Sequence, residues 1–174
     1  MPGLPNEARS FDVSYLDQVR AYHREHIEPL LGAARGCEAR EVDALERALG
    51  FALPAAYREF LLWMGRDLDG AFRGSDCFVD HVRYNNEWLP KLLAENDVGF
   101  PLPERFVAFF MHQGYVAAWF AIPAEPDPAC WLFAEGNSDV PEELGPFSSW
   151  LLKHLQGLVP AIRSVHGDGG SSLP

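Results

Sequence analysis

Two histidines three residues apart, in HREH at 23–26, are the first residues whose spacing suits chemistry: on a helix, His23 and His26 share a face and can share a metal ion. The spacing matches neither HExxH nor HxxEH and no third ligand is marked, so half-packed or solvated imidazoles are the reading these residues favour. Cys77, within GSDCF at 74–78, can be paired with His81 or His112 as a thiolate nucleophile. That segment lacks the glycine-framed turn that exposes a nucleophile, and GxSxG is absent. A hydrolase using Cys77 or a His-bound metal is therefore the last-ranked function. DLDG at 67–70 begins like a calcium loop, but its glycine comes two places early and no glutamate closes it, which predicts a surface turn. Without GxGxxG or a Walker sequence, no cofactor is expected.

Carboxylates offer a different kind of site. Between Pro123 and Pro146 stand Glu125, Asp127, Glu135, Asp139, Glu142 and Glu143, with no lysine or arginine among them. Because they surround a strand-like run, they are expected to gather on loops at one edge of a sheet and project a negative field toward a basic protein partner. The alternative is a pair of solubilising loops. The whole chain leans the same way: 14 basic against 25 acidic residues leave a formal charge of -11, which opposes binding to nucleic-acid phosphates and to anionic membranes. Its arginines are interleaved with acids rather than clustered, a solvated helical surface rather than a nucleic-acid footprint. Trp131 and Tyr115 are the candidate apolar anchors for a partner, with burial in the sheet as the competing reading.

The elements that must position these residues follow from hydrophobic periodicity. A chain of 174 residues, 48% hydrophobic, fits one domain with a substantial core. Phe11, Tyr15, Val19, Tyr22, Ile27, Leu30 and Leu31 predict one long helix over 10–35, with Ser10 or Asp12 as caps. EVDALERALGFALPAAYREFLLWMG, 41–65, predicts a helix ending at Gly50, a tight loop, and a helix opening at Pro54. CFVDHV suggests a short strand, and NNEWLPKLLAEND, 85–97, a short helix beginning near Leu89 or kinked at Pro90. RFVAFFM, YVAAWFAIP and CWLFAEG are aromatic and β-branched runs that predict antiparallel strands. A final helix over 146–164 is interrupted near Pro160. The expected class is α+β, a single domain over 11–164 with a mainly antiparallel sheet covered by N- and C-terminal helices, a flexible stretch at 1–10 and a disordered tail at 165–174. Cys37, Cys77 and Cys130 form no CxxC pair and are expected to be reduced and partly buried. The start MPGLPNEARS lacks the features of a secretory signal, which predicts a cytoplasmic protein.

Glu46, Leu49-Gly50, Leu53-Pro54, Tyr57, Phe60-Leu61 and Gly65 together resemble the N-terminal signature of the SMI1/KNR4 family, part of the SUKH superfamily. FVAFFMHQGYVAAWF resembles that family's hairpin around a glycine, and FAEGNSDVPEELGPFSSWLLKHL its last strand and Phe-Ser-x-Trp-Leu helix, so the resemblance covers roughly 40–157. It departs from the pattern at Ala55-Ala56, at Met64 where asparagine is usual, and at Tyr115 after the hairpin glycine. The resemblance implies an α+β, SUKH-like fold without catalytic residues. It implies either an immunity protein neutralising a basic, nuclease-type toxin or, as the alternative, a scaffold module. Heavy use of Ala, Gly, Arg and Pro over Lys suggests a GC-rich bacterial gene and tilts the expectation to the immunity role.

Overall fold

Pro29 decides how the chain begins. A helix running over 10–35 would need the Pro29 nitrogen as a donor and would press its ring against the Glu25 carbonyl. In the computed structural model, which describes residues 13–137 and 139–166, the expected long helix is two: α1 (Asp17–His26) and the single turn α2 (Glu28–Leu31). Pro29 lies in the first turn of α2, where no N–H is missed. The expected caps Ser10 and Asp12, the stretch 1–10, and residues 167–174 of the expected tail lie outside the described residues. Val165 and His166, also assigned to the tail, belong to the last helix.

The segment quoted from 41 to 65 folds as its residues dictate. Glu38 and Glu41 cap α3 (Ala39–Leu49) reciprocally, and Gly50 ends it at φ 79°, a left-handed conformation that glycine adopts without strain. Glu46 then ties the loop to α4 (Ala55–Met64): its Oε1 accepts the Leu53 N–H at 2.8 Å and its Oε2 accepts from Arg58 Nη1 at 2.7 Å. Arg58 Nη2 donates on to Asp43 at 2.6 Å. One glutamate therefore fixes the angle between two helices, which is a physical reason for a glutamate before the Leu-Pro step. Tyr57, Phe60, Leu61 and Met64 bury the inner face of α4.

After β1 (Ser75–Asp76), the expected strand CFVDHV does not form: its backbone is taken up by a turn, with His81 N–H donating to the Phe78 carbonyl at 2.9 Å and Val79 N–H to the Gly65 carbonyl at 3.2 Å. The chain turns instead into α5 (Val82–Glu95), which passes straight through Pro90 and so starts well before Leu89. Loss of one helical bond at Pro90 is offset by a stripe of Val82, Asn85, Leu89, Leu92 and Leu93 packed on the sheet. α6 (Phe147–His166) likewise continues through Pro160, with Val159 buried before it and Ile162 packed on the core after it.

The strands β2 (Phe106–His112), β3 (Val116–Ala121), β4 (Ala129–Ala134) and β5 (Glu142–Pro146) complete a five-stranded antiparallel sheet in the order β1-β2-β3-β4-β5. A bulge between Ala108 and Phe110 breaks the alternation, so Phe109 and Phe110 both join the core formed with α1, α3, α4 and α6. There Tyr57, Phe109, Phe120, Phe147 and Trp150 meet edge-on or stacked. On the other face, Ala108, Met111, Ala117, Trp119 and Phe133 pack beneath α5. Helices thus cover both faces, and the α+β architecture is as the sequence predicts. Cys37, Cys77 and Cys130 are free and buried. Among the described residues no helix is long and apolar enough to cross a membrane, and the apolar run 106–123 is the β2–β3 hairpin with its following turn.

Since β1 covers only Met111 and His112, the rest of β2 has a bare edge. Asn86 of α5 supplies the missing neighbour: Nδ2 donates to the Phe106 carbonyl at 3.3 Å and Oδ1 accepts the Ala108 N–H at 2.7 Å. Asn86→Ala strips both partners at once and is expected to destabilise the fold by about 2 kcal/mol, as unsatisfied buried backbone groups do. Urea unfolding checks this, and an unchanged midpoint would show that the amide adds nothing to the edge.

Candidate functional site

Asp127 and Glu125 sit on the β3–β4 link, and the structure gives them different work. Asp127 Oδ1 accepts the Ser148 N–H at 3.0 Å and Oδ2 accepts the Ser148 hydroxyl at 2.6 Å, so this carboxylate satisfies the first turn of α6. Glu125 is exposed. At the opposite end of the strands, Glu135 and Asp139 stand exposed on the β4–β5 loop and Glu142 opens β5. Register separates the last pair: Leu132 lies opposite Glu142 and Trp131 opposite Glu143, so Glu142 belongs to the α6 face and Glu143 to the α5 face.

The expectation that all six acids gather at one edge is therefore corrected. Glu135, Asp139 and Glu142 share one end, Glu143 alternates to the other face, and Glu125 and Asp127 lie a strand length away, about 20 Å for six residues. Antiparallel connectivity forces this, since the two acidic loops leave opposite ends of β4.

At the end that holds three acids, the sheet and α6 do not close completely. A cleft of about 380 Å³ opens between Ser75, Val116, Leu132 and Leu144 on the strands, Trp150, His154 and Leu158 on α6, and Ala71, Phe72 and Arg73 on the loop before β1. Its α6 residues recur at intervals of four, placing them on one stripe. His154 stacks on Phe72 at 5.3 Å and on Trp150 at 5.0 Å. Burial, helped by nearby His112, pulls its pKa down to about 4, so it is a neutral, aromatic part of the wall at pH 7. Ser75 Oγ lies 2.9 Å from His112 Nδ1, which fixes that ring at the mouth. Arg73 is exposed on one lip, and an adjoining pocket, sharing Leu144, Trp150 and His154 with the cleft, is lined by Glu142, Glu143 and Lys153.

Aromatic residues extend this surface. The turn Gln113-Gly114, with φ of 50° and 79°, leaves Tyr115 40% exposed against His112 at 5.9 Å. Glu135 N–H donates to the Tyr115 carbonyl at 2.9 Å, so the two residues are neighbours across the end of the β3–β4 pair. Trp88 Nε1 donates to the Gly114 carbonyl at 3.3 Å, and Tyr84, 54% exposed, stacks on Trp88. Of the two aromatic candidates, Tyr115 is at the surface, whereas Trp131 is half-buried against Phe100 at 5.0 Å.

The residues weighed for catalysis are placed otherwise. His23 is buried edge-on to Trp63 at 5.2 Å, its pKa lowered by burial, while His26 faces Tyr22 and Glu25. Among the described residues no group of three or more His, Cys, Asp and Glu could hold a metal ion. Cys77 is 2% exposed, and burial pushes its thiol well up, which keeps it protonated. In DLDG, Asp67 is buried with its carboxyl pushed up by burial, and Asp67 and Asp69 both reach Arg35, at 3.9 and 3.0 Å, so the two acids share a guanidinium.

Sequence reasoning missed the cleft and β5. PEELGP carries two prolines, two acids and a glycine, and reads as a loop; only pairing with β4 makes it a strand. A model of the SMI1 / KNR4 family (SUKH-1) matches residues 36–153, from just before α3 into the first turns of α6. No curated protein matches the chain.

Proposed function

Because the chain belongs to the SMI1 / KNR4 family (SUKH-1), whose role in general is protein interaction of the immunity type, we propose that it is a cytoplasmic immunity protein that neutralises a basic, nuclease-type toxin without catalysis of its own. The observation that carries this reading is the meeting of Glu135, Asp139 and Glu142 with exposed Tyr115 at one end of the sheet. Carboxylates there steer a basic partner into encounter, and an aromatic ring beside them supplies contact area that slows dissociation. Occupying the toxin's basic cleft would exclude its phosphate-bearing substrate. The formal charge of -11 extends the attraction beyond the contact itself. Cells expressing a basic nuclease toxin encoded directly upstream of this gene, should one be encoded there, are expected to survive when the chain is co-expressed. Death in its presence, or a partner with no toxicity, would overturn the reading in favour of a scaffold.

A further inference from the structure

We propose that the cleft between α6 and the sheet receives one aliphatic or aromatic side chain of the protein partner, presented next to a lysine or arginine that meets Glu142. The inference rests on the protein-binding reading above and adds the chemistry of the contact. Three observations converge. The cavity of about 380 Å³ is walled by Val116, Leu132, Leu144, Trp150 and Leu158, with His154 neutral, so its interior offers almost no charge to satisfy. Side chains of about four to ten heavy atoms, from leucine to tryptophan, fit within that volume, and an anchor in such a pocket is where binding energy concentrates.

Glu142 stands on the cleft's side of the sheet by register, opposite Leu132, and is exposed. It lines, with Lys153, an adjoining pocket that shares Leu144, Trp150 and His154 with the cleft, and among the described residues no cation lies within 4 Å of its carboxylate. The basic neighbour of the anchor is thus expected on the β5 side. Arg73, exposed on the other lip, disfavours a second cation there. Finally, Tyr115 and Glu135 continue this surface, so an anchor in the cleft sits inside the contact area rather than apart from it.

Two blocked dipeptides, acetyl-Lys-Trp-amide and acetyl-Glu-Trp-amide, are the probes, titrated into the full chain and followed by methyl shifts in NMR spectra. Shifts are expected at Val116, Leu132, Leu144 and Leu158. The lysine peptide should bind about twofold to fivefold more tightly, as one exposed ion pair allows, and Glu142→Gln should remove that difference. Leu158→Gln and Leu144→Gln should each weaken both peptides, and the second sits on an edge strand where the fold is least at risk. Equal shifts from acetyl-Lys-Gly-amide would overturn the proposal, as would shifts centred on a second groove, lined by Leu53, Pro54, Ile122 and Pro123 at the other end of the sheet. So would sedimentation of the free chain as a dimer that the peptides dissociate, since the cleft would then belong to a second copy. If the peptides fill the cleft but no toxin is neutralised, only the immunity reading fails; if a toxin is neutralised and the peptides miss the cleft, only this inference fails.

Discussion

Gly36→Ala is expected to destabilise the protein by about 3 kcal/mol, the upper range for forcing extra volume into a packed site. Gly36 is exposed and its φ is not in the left-handed region, so neither burial nor backbone strain gives the reason. Distance does. Residues 35–37 cross the C-terminal turn of α4, where Cys37 N–H donates to the Leu61 carbonyl and Arg66 N–H donates to the Arg35 carbonyl, both at 2.9 Å. A methyl at Gly36 would fall inside the Leu62 carbonyl, and that atom belongs to a helix backbone that cannot yield without losing these bonds. Gly65, on the other side of the crossing, is equally confined, since its Cβ would stand 2.5 Å from Cys37 Sγ. Gly157→Ala is the control: it lies within α6 with nothing within 4 Å and should gain roughly 0.5–1 kcal/mol from helix propensity. Calorimetric melting of the two variants reads the contrast, and equal midpoints would mean that the crossing is looser than its geometry.

This crossing also shows why a glycine near the end of the second helix belongs to the family signature. Glu46, Gly50 and Pro54 are legible in one dimension because each acts on neighbours within about a dozen positions, and Tyr57 and Phe60 are legible from their helical spacing although the rings they meet lie on distant elements. Strands β2 to β4 were equally legible, as their aromatic runs leave little else to fold into. What failed was whatever depends on a distant partner. Pro90 and Pro160 predict interruption by local rules, yet both helices continue: α5 is packed on both sides of Pro90, and beyond Pro160 Ile162 still packs on the core. Asn86 reads as one more polar residue until β2 is seen to need an amide at its edge. Six carboxylates in one acidic segment read as one surface, and it is the return of the chain through β4 that divides them.

That division sets up the second large effect. Lysine at Glu135 and Glu142 together is expected to slow association with a basic toxin by about tenfold at low ionic strength, within the range over which charge steers encounter. Lysine at Glu104 and Glu125 changes the net charge by the same amount but at the other end, where Arg105 lies beside Ile122 and the β3–β4 link begins. Its effect should be much smaller, because a Debye length of about 10 Å at 0.1 M salt is shorter than the strand that separates the two ends. None of these four glutamates makes a side-chain bond that holds an element in place, whereas Asp127 does and is left untouched for that reason. Association rates measured from low to high salt then separate two causes. If the sheet end is the docking face, the Glu135/Glu142 variant loses most of the salt dependence while the Glu104/Glu125 variant retains it. Equal slopes would mean that only the total charge of -11 matters and that the partner docks elsewhere. Dissociation should change little in either variant, because rim charges act mainly on encounter, and the residence time is left to Tyr115 and the apolar contact beside it.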